Sequence, residues 1–134
     1  MLLGAERDTI TIKVGEDMNV IQELQDWFVA QCNGEWEHRL AINITTCDNP
    51  GWVVKIDVRG TNLETRNFDI VSKNVSQKFI DQSLGKEALP FVPENPLAEE
   101  WMVCFVKDGK FEGAGDARRL EDILKIFLEW AKSA

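Results

Sequence analysis

Glu35-Trp36-Glu37-His38 puts a histidine, two carboxylates and an indole into one short run, the residue types that serve proton transfer or metal ligation. His38 is the only histidine in the chain. Glu37 and His38 are sequence neighbours, so on an extended segment they point to opposite faces, and no second His or Cys stands at ligand spacing. A histidine bonding to nearby backbone at a strand start is the expected role, with no metal and no cofactor. Cys47 beside Asp48 is the best-placed nucleophile, yet neither a Gly-x-Ser-x-Gly run nor a histidine motif frames it. Gly113-Ala114-Gly115 is like a phosphate loop only superficially, lacking a preceding buried parallel strand and a Lys-Ser/Thr pair. Its expected role is a sharp turn from the last strand into the final helix. The expectation from these motifs is a protein that is not an enzyme.

Binding chemistry is better represented. From residue 17 to residue 37 there is no Lys or Arg, while Asp17, Glu23, Asp26, Glu35 and Glu37 supply five negative charges, so one edge of the molecule is expected to be acidic. Trp36 sits between two glutamates at an element boundary. Exposed there, it suits a hot spot for a cationic partner; burial against the sheet edge is the competing and stronger expectation. Trp27, Trp52, Trp101 and Trp130 fall mainly on apolar stripes and are read as core.

The elements that must position these residues follow from periodicity. Residues 18–32 carry Val20, Ile21, Leu24, Trp27, Phe28 and Val29 at helical spacing, with Asp17 or Asn19 as N-cap and Asn33-Gly34 as terminator. Residues 39–47 and 52–59 read as antiparallel strands joined by Asp48-Asn49-Pro50-Gly51. Leu40, Ile42, Ile44, Trp52, Val54, Ile56 and Val58 lie on a packed face, and Asn43, Thr45, Lys55, Asp57 and Arg59 on a wet one. A third strand is expected at 66–71, a short helix at 77–84, and irregular chain around the prolines of 89–96. Residues 101–106 form a strand that turns at Asp108-Gly109 into a short strand around Phe111. A last helix carries Leu120, Ile123, Leu124, Phe127, Trp130 and Ala131 on one face, with Glu121 and Lys125 paired across a turn. A strand at 9–14 is expected near the start, its partner undetermined. With no alternating βαβ run, the fold class is α+β: a single domain over 1–134, an antiparallel sheet of about four to six strands packed against an N-terminal and a C-terminal helix. Residues 1–16 read as an N-terminal extension and 72–99 as an irregular insertion.

Composition bounds the partners. A chain of 134 residues, 44% hydrophobic and 28% charged, fits one soluble globular domain. Net charge −8 disfavours nucleic acid and anionic membranes, which need a cationic surface, and favours a basic partner. Cys32, Cys47 and Cys104 form no CxxC pair and leave one unmatched in any disulfide scheme, as expected for a reducing cytoplasm. No run approaches the roughly 20 apolar residues that span a bilayer, and no signal-peptide pattern opens the chain.

Several blocks taken together, Leu24-Gln25-Asp26-Trp27-Phe28, Gln31-Cys32-Asn33-Gly34-Glu35-Trp36-Glu37-His38, Asp48-Asn49-Pro50-Gly51-Trp52 and Val106-Lys107-Asp108-Gly109-Lys110-Phe111-Glu112-Gly113-Ala114-Gly115, resemble the immunity protein 53 family of bacterial polymorphic toxin systems. The likeness covers residues 20–72 and 100–132. It implies a small cytoplasmic antitoxin that protects the producing cell by binding a cognate secreted toxin, a protein inhibitor with no reaction of its own. Many such toxins attack nucleic acid and carry basic clefts, which an acidic inhibitor can occupy with electrostatic steering. Charge and position, not the family, then single out Asp26, Glu35, Glu37 and Asp48, with Trp36 as anchor, for the toxin-facing surface. The free protein is expected to be a monomer or homodimer. The competing reading is a small-ligand-binding protein or enzyme whose pocket lies between the sheet and residues 72–99, with His38, Asp57 and Glu37 as its polar groups.

Overall fold

The computed structural model describes residues 19–48, 50–85 and 100–133. Asn19 opens helix α1 (Val20–Gln31), its side chain accepting the Gln22 N–H at 3.1 Å. The helix ends where Cys32 turns extended, and the Gln31 amide and Cys32 thiol bond back to the Trp27 and Phe28 carbonyls, satisfying groups that a helix end leaves open. A single helical turn, α2 (Trp36–Arg39), follows. Then come β1 (Ile42–Cys47), β2 (Gly51–Asp57), β3 (Val71–Lys73), α3 (Gln77–Ser83), β4 (Met102–Lys107), β5 (Lys110–Asp116) and α4 (Leu120–Lys132). The strands form one antiparallel sheet in the order β1-β2-β5-β4-β3. The protein is a single α+β domain, as the periodicity implies.

Helices α1 and α4 cover one face. Val20 and Leu24 meet Ile123, Leu124, Phe127 and Leu128 over Val54, Ile56, Val58 and Phe111. Phe127 is the hub, edge-to-face with Trp27 at 4.9 Å, Phe111 at 5.2 Å and Trp130 at 6.1 Å. Each such pair adds about 0.5–1.5 kcal/mol to its area burial.

Several expectations give way here. Gly113-Ala114-Gly115 is not a turn: it lies inside β5, the middle strand of the sheet. A Cβ on Gly113 would stand 2.5 Å from Ile123 Cγ2, and one on Gly115 2.6 Å from Arg119 Cβ. Glycine in that strand lets α4 approach the sheet. The second face is not uniformly wet either. Phe79 and Ile80 of α3 cluster with Trp101, Val103, Phe105 and Ala114, and Val53 and Val75 pack against them. The expected wet face was drawn from the residues now in β1 and β2, whereas residues 101–105 are buried without alternation, the pattern of a strand covered on both sides. Asp57, expected in water, is 8% exposed and bonded by the Arg59 guanidinium at 2.8 Å.

The third strand starts later than residue 66. Phe68 is held by rings, 5.5 Å from Phe111 and 5.2 Å from Trp130, whose indole donates to the Asn67 carbonyl, while Ile70 stays exposed. The described part of 72–99 is ordered as β3 and α3, the latter capped by Ser76. Turn residues Asp108 and Gly109 both have positive φ, 54° and 77°, the signature of a type I′ hairpin. Glu121 and Lys125 stand at 4.0 Å. The expected strand at 9–14 and the proline-rich 89–96 lie outside the described residues.

Candidate functional site

The chain leaves α1 through a turn built by its own side chains. Asn33 Oδ1 accepts the N–H groups of Glu35 and Trp36, both at 2.9 Å. The Glu37 carboxylate reaches back to accept Asn33 N–H at 2.9 Å and Gly34 N–H at 2.8 Å, with Gly34 at φ +93°. Residues 36–39 are therefore helical, not the start of a strand, so Glu37 and His38 do not alternate across a sheet. Glu37's own backbone N–H, then that of Asn33, hold its carboxyl below the usual carboxylate range, with Gly34 N–H and nearby His38 adding to the effect.

Trp36 anchors this turn from beneath. It is 4% exposed, its Nε1–H donates to the Arg59 carbonyl at 2.9 Å, and its ring lies edge-on to Trp27 and Phe28 at 5.9 and 6.0 Å. The exposed-anchor reading of Trp36 is thus corrected: its apolar body finds α1, and its single donor finds a backbone acceptor, so both halves of the indole are satisfied inside.

Glu35 is the acid the turn presents outward. It is exposed, and its carboxylate makes no hydrogen bond or ion pair among the described residues. Asp26, also exposed, takes only the Gln22 side-chain amide, at 3.1 Å, among the described residues. Asp26 belongs to the outward face of α1, where Gln22, Gln25, Val29 and Ala30 are exposed too, and Glu35 follows that helix in the turn. Val29 (67% exposed) and Ile21 (59%) do not belong to the buried stripe. At about 100° per residue Val29 stands about 140° around the helix from Leu24, a signal available from the sequence.

The acids do not gather as their sequence positions suggest. Asp48 follows the last residue of β1, on the order of 20 Å from the turn at about 3.3 Å per residue. The cation-free stretch is not cation-free in space. Lys132 of α4 pairs with Glu23, and a shallow cleft of about 310 Å³ beside Glu35 is lined by Asn33, Trp36, Arg39, Leu40, Arg59 and Gly60. Arg39, Arg59 and Lys132 were missed because only the fold brings them there. His38, Glu37 and Asp57 do not converge. His38 is exposed, Glu37 is turned into its own loop, Asp57 is held by Arg59, and none of the three lines this cleft. Cys32, Cys47 and Cys104 are free thiols, and burial pushes Cys104 up to about 12. No helix among the described residues is long and apolar enough to cross a membrane.

The chain is thus an α+β domain with a turn braced by its own side chains beside an exposed helix face. The model of the immunity protein 53 family matches residues 21–132, and the chain belongs to that family. Membership of a family of immunity proteins implies a toxin as partner and toxin neutralisation as role. Comparison with the curated proteins and with the solved structures gives no match.

Proposed function

We propose that this protein neutralises one cognate secreted bacterial toxin by binding it, in the cytoplasm, through the outward face of α1 and the turn that follows. Asp26 and Glu35 face the toxin with exposed Val29, one helical turn from Asp26, as apolar contact, while Trp36 and Glu37 hold the turn in place and touch the toxin little. Asp48 contributes only if the footprint extends the length of β1. The toxin's opposing surface is basic, since Asp26 and Glu35, the exposed acids of this face, have no cation on them among the described residues. Inhibition is by occlusion, and no chemical step is assigned to the immunity protein. The observation that carries the reading is a family match over residues 21–132 joined to a surface whose backbone is braced by four hydrogen bonds onto Asn33 and Glu37. A preformed surface loses little entropy on association.

The test is co-expression with the product of the neighbouring gene. Growth is rescued and a complex is recovered. Asp26→Lys with Glu35→Lys slows association at least about tenfold at low salt, and the deficit shrinks as salt rises, because steering is screened. Unchanged association by the double variant, with its fold intact, rules out this face.

A further inference from the structure

β1 is an edge of the sheet, and among the described residues it pairs only with β2. The bond from Asp57 N–H to the Ala41 carbonyl, in a register where Ile42 faces Ile56, sets the phase of that ladder. Residues 41, 43, 45 and 47 turn their backbone polar groups to β2, so those of Ile42, Ile44 and Thr46 point away from it. Among the described residues the edge carries none of the usual guards. Ile42–Cys47 contains no charge, proline or glycine, and Ile44 is 37% exposed. The opposite edge differs: β3 is three residues long, its Lys73 is paired with Glu100, and Asn74 bends away at φ 58°. Natural sheets blunt edges with short strands and lysines; this one blunts only β3.

We propose that β1 is a homodimerisation edge, pairing with β1 of a second copy, antiparallel, about a two-fold axis at Ile44, to make one ten-stranded sheet. Self-pairing must set outward backbone groups against outward groups and keep like faces of the sheet together. With the axis at Ile44, that residue opposes its own copy and Ile42 opposes the copy's Thr46, so every outward group of the strand is bonded. Moving the axis to Asn43 or Thr45 leaves Thr46 or Ile42 beyond the end of the partner strand. The bracketing charges fit a second copy too. Arg39 precedes β1 and Asp48 follows it, so antiparallel pairing brings each Arg39 to the end of the ladder where the other copy's Asp48 lies. The interface is isologous, as a two-fold requires. It lies on β1 rather than on α1, sharing only Arg39 with the cleft beside Glu35, and goes beyond the toxin-binding reading.

Sedimentation of the full chain from about 1 to 500 μM, the range suited to a small interface, should show the mass rise from 15.3 kDa to twice that value. Ile44→Lys places like charges opposite each other and weakens the dimer at least about tenfold, and Thr46→Pro removes an outward donor with a similar result. Ser72→Lys, on the far edge, leaves the mass curve unchanged, and circular dichroism establishes that each variant is folded. In a Cys32→Ser/Cys47→Ser background, Ile44→Cys cross-links copy to copy on oxidation, while Asn43→Cys, which faces Thr45, cross-links far less. A chain that stays monomeric throughout the range overturns the proposal. So does equal cross-linking at 43 and 44, and so does loss of toxin capture by Ile44→Lys in a monomeric protein, which would give the edge to the toxin.

Discussion

Trp36→Phe separates an indole that supports the turn proposed to face the toxin from one that contacts the toxin. The indole is 4% exposed and donates to the Arg59 carbonyl at 2.9 Å. Phenylalanine keeps an aromatic ring against Trp27 and Phe28 but removes the donor, which costs about 1 kcal/mol at a partly buried site. The smaller ring leaves a void of about 40 Å³, which at about 24 cal/mol per Å³ adds about 1 kcal/mol. A loss of about 2 kcal/mol in a chain of this length lowers Tm by about 8 °C. Scanning calorimetry reads that shift, and titration of the toxin well below both transitions reads affinity. Asn33 and Glu37 still brace the turn, so affinity falls by less than about fivefold. Were Trp36 a contact hot spot, its alteration would leave Tm in place and cost about 2 kcal/mol or more of binding, about thirtyfold. An unchanged Tm with a collapse in affinity refutes the reasoning.

Gly113→Ala destabilises by about 1–3 kcal/mol through overpacking, because the new Cβ meets Ile123 Cγ2 at 2.5 Å with Cys104 Sγ at 3.3 Å behind it. Ile123→Ala opens that space, so urea midpoints of the double variant show less loss than the two single losses together. Glu37→Gln tests the turn by pH. The folded Glu37 carboxyl lies below its ordinary value, so its contribution is present above the unfolded value of about 4.3 and is lost as pH falls through the folded value. The stability gap between wild type and Glu37→Gln is therefore full at pH 7 and closes in strong acid; a gap that persists there would mean that Glu37 acts without its charge.

Local chemistry was the legible part of this fold. Asn19 caps α1, Asp108-Gly109 makes the hairpin, and Leu120, Ile123, Leu124 and Phe127 define a face of α4, because each signal depends on residues within a turn or two of one another. What was illegible depends on neighbours far along the chain. The glycines of β5 read as a turn until α4 is laid across them, since only Ile123 and Arg119 explain why those positions lack a Cβ. The second apolar face could have been anticipated from the unbroken run of residues 101–105, but its cover, Phe79 and Ile80, comes from a stretch whose short helical pattern gave no sign of where it would pack. Trp36 was ambiguous for a related reason: its flanking glutamates suggest exposure, and only Arg59, twenty-three residues on, supplies the acceptor that lets the indole go inside. Of the candidate site, the acids were legible as residues and illegible as a surface.

That last distinction governs how net charge can act. A total of −8 says little about what a partner meets, because the Debye length at physiological salt is about 8 Å and charges farther apart than that act almost independently. Folding pairs Lys132 with Glu23, Arg59 with Asp57, Lys73 with Glu100, and Arg119 with both Asp116 and Asp122. Glu37 is engaged by its own turn. Among the described residues no cation pairs with Asp26, in the middle of α1, or with Glu35, beyond its end, and Arg39 lines the cleft beside Glu35. If the α1 face meets the toxin as proposed, a purely cationic surface would oppose Arg39 with like charge beside Glu35, so the better complement has its cations over α1 and a guanidinium acceptor toward the cleft. On the proposed binding mode, steering by Asp26 and Glu35 sets the rate of encounter, and an acceptor opposite Arg39 would add specificity.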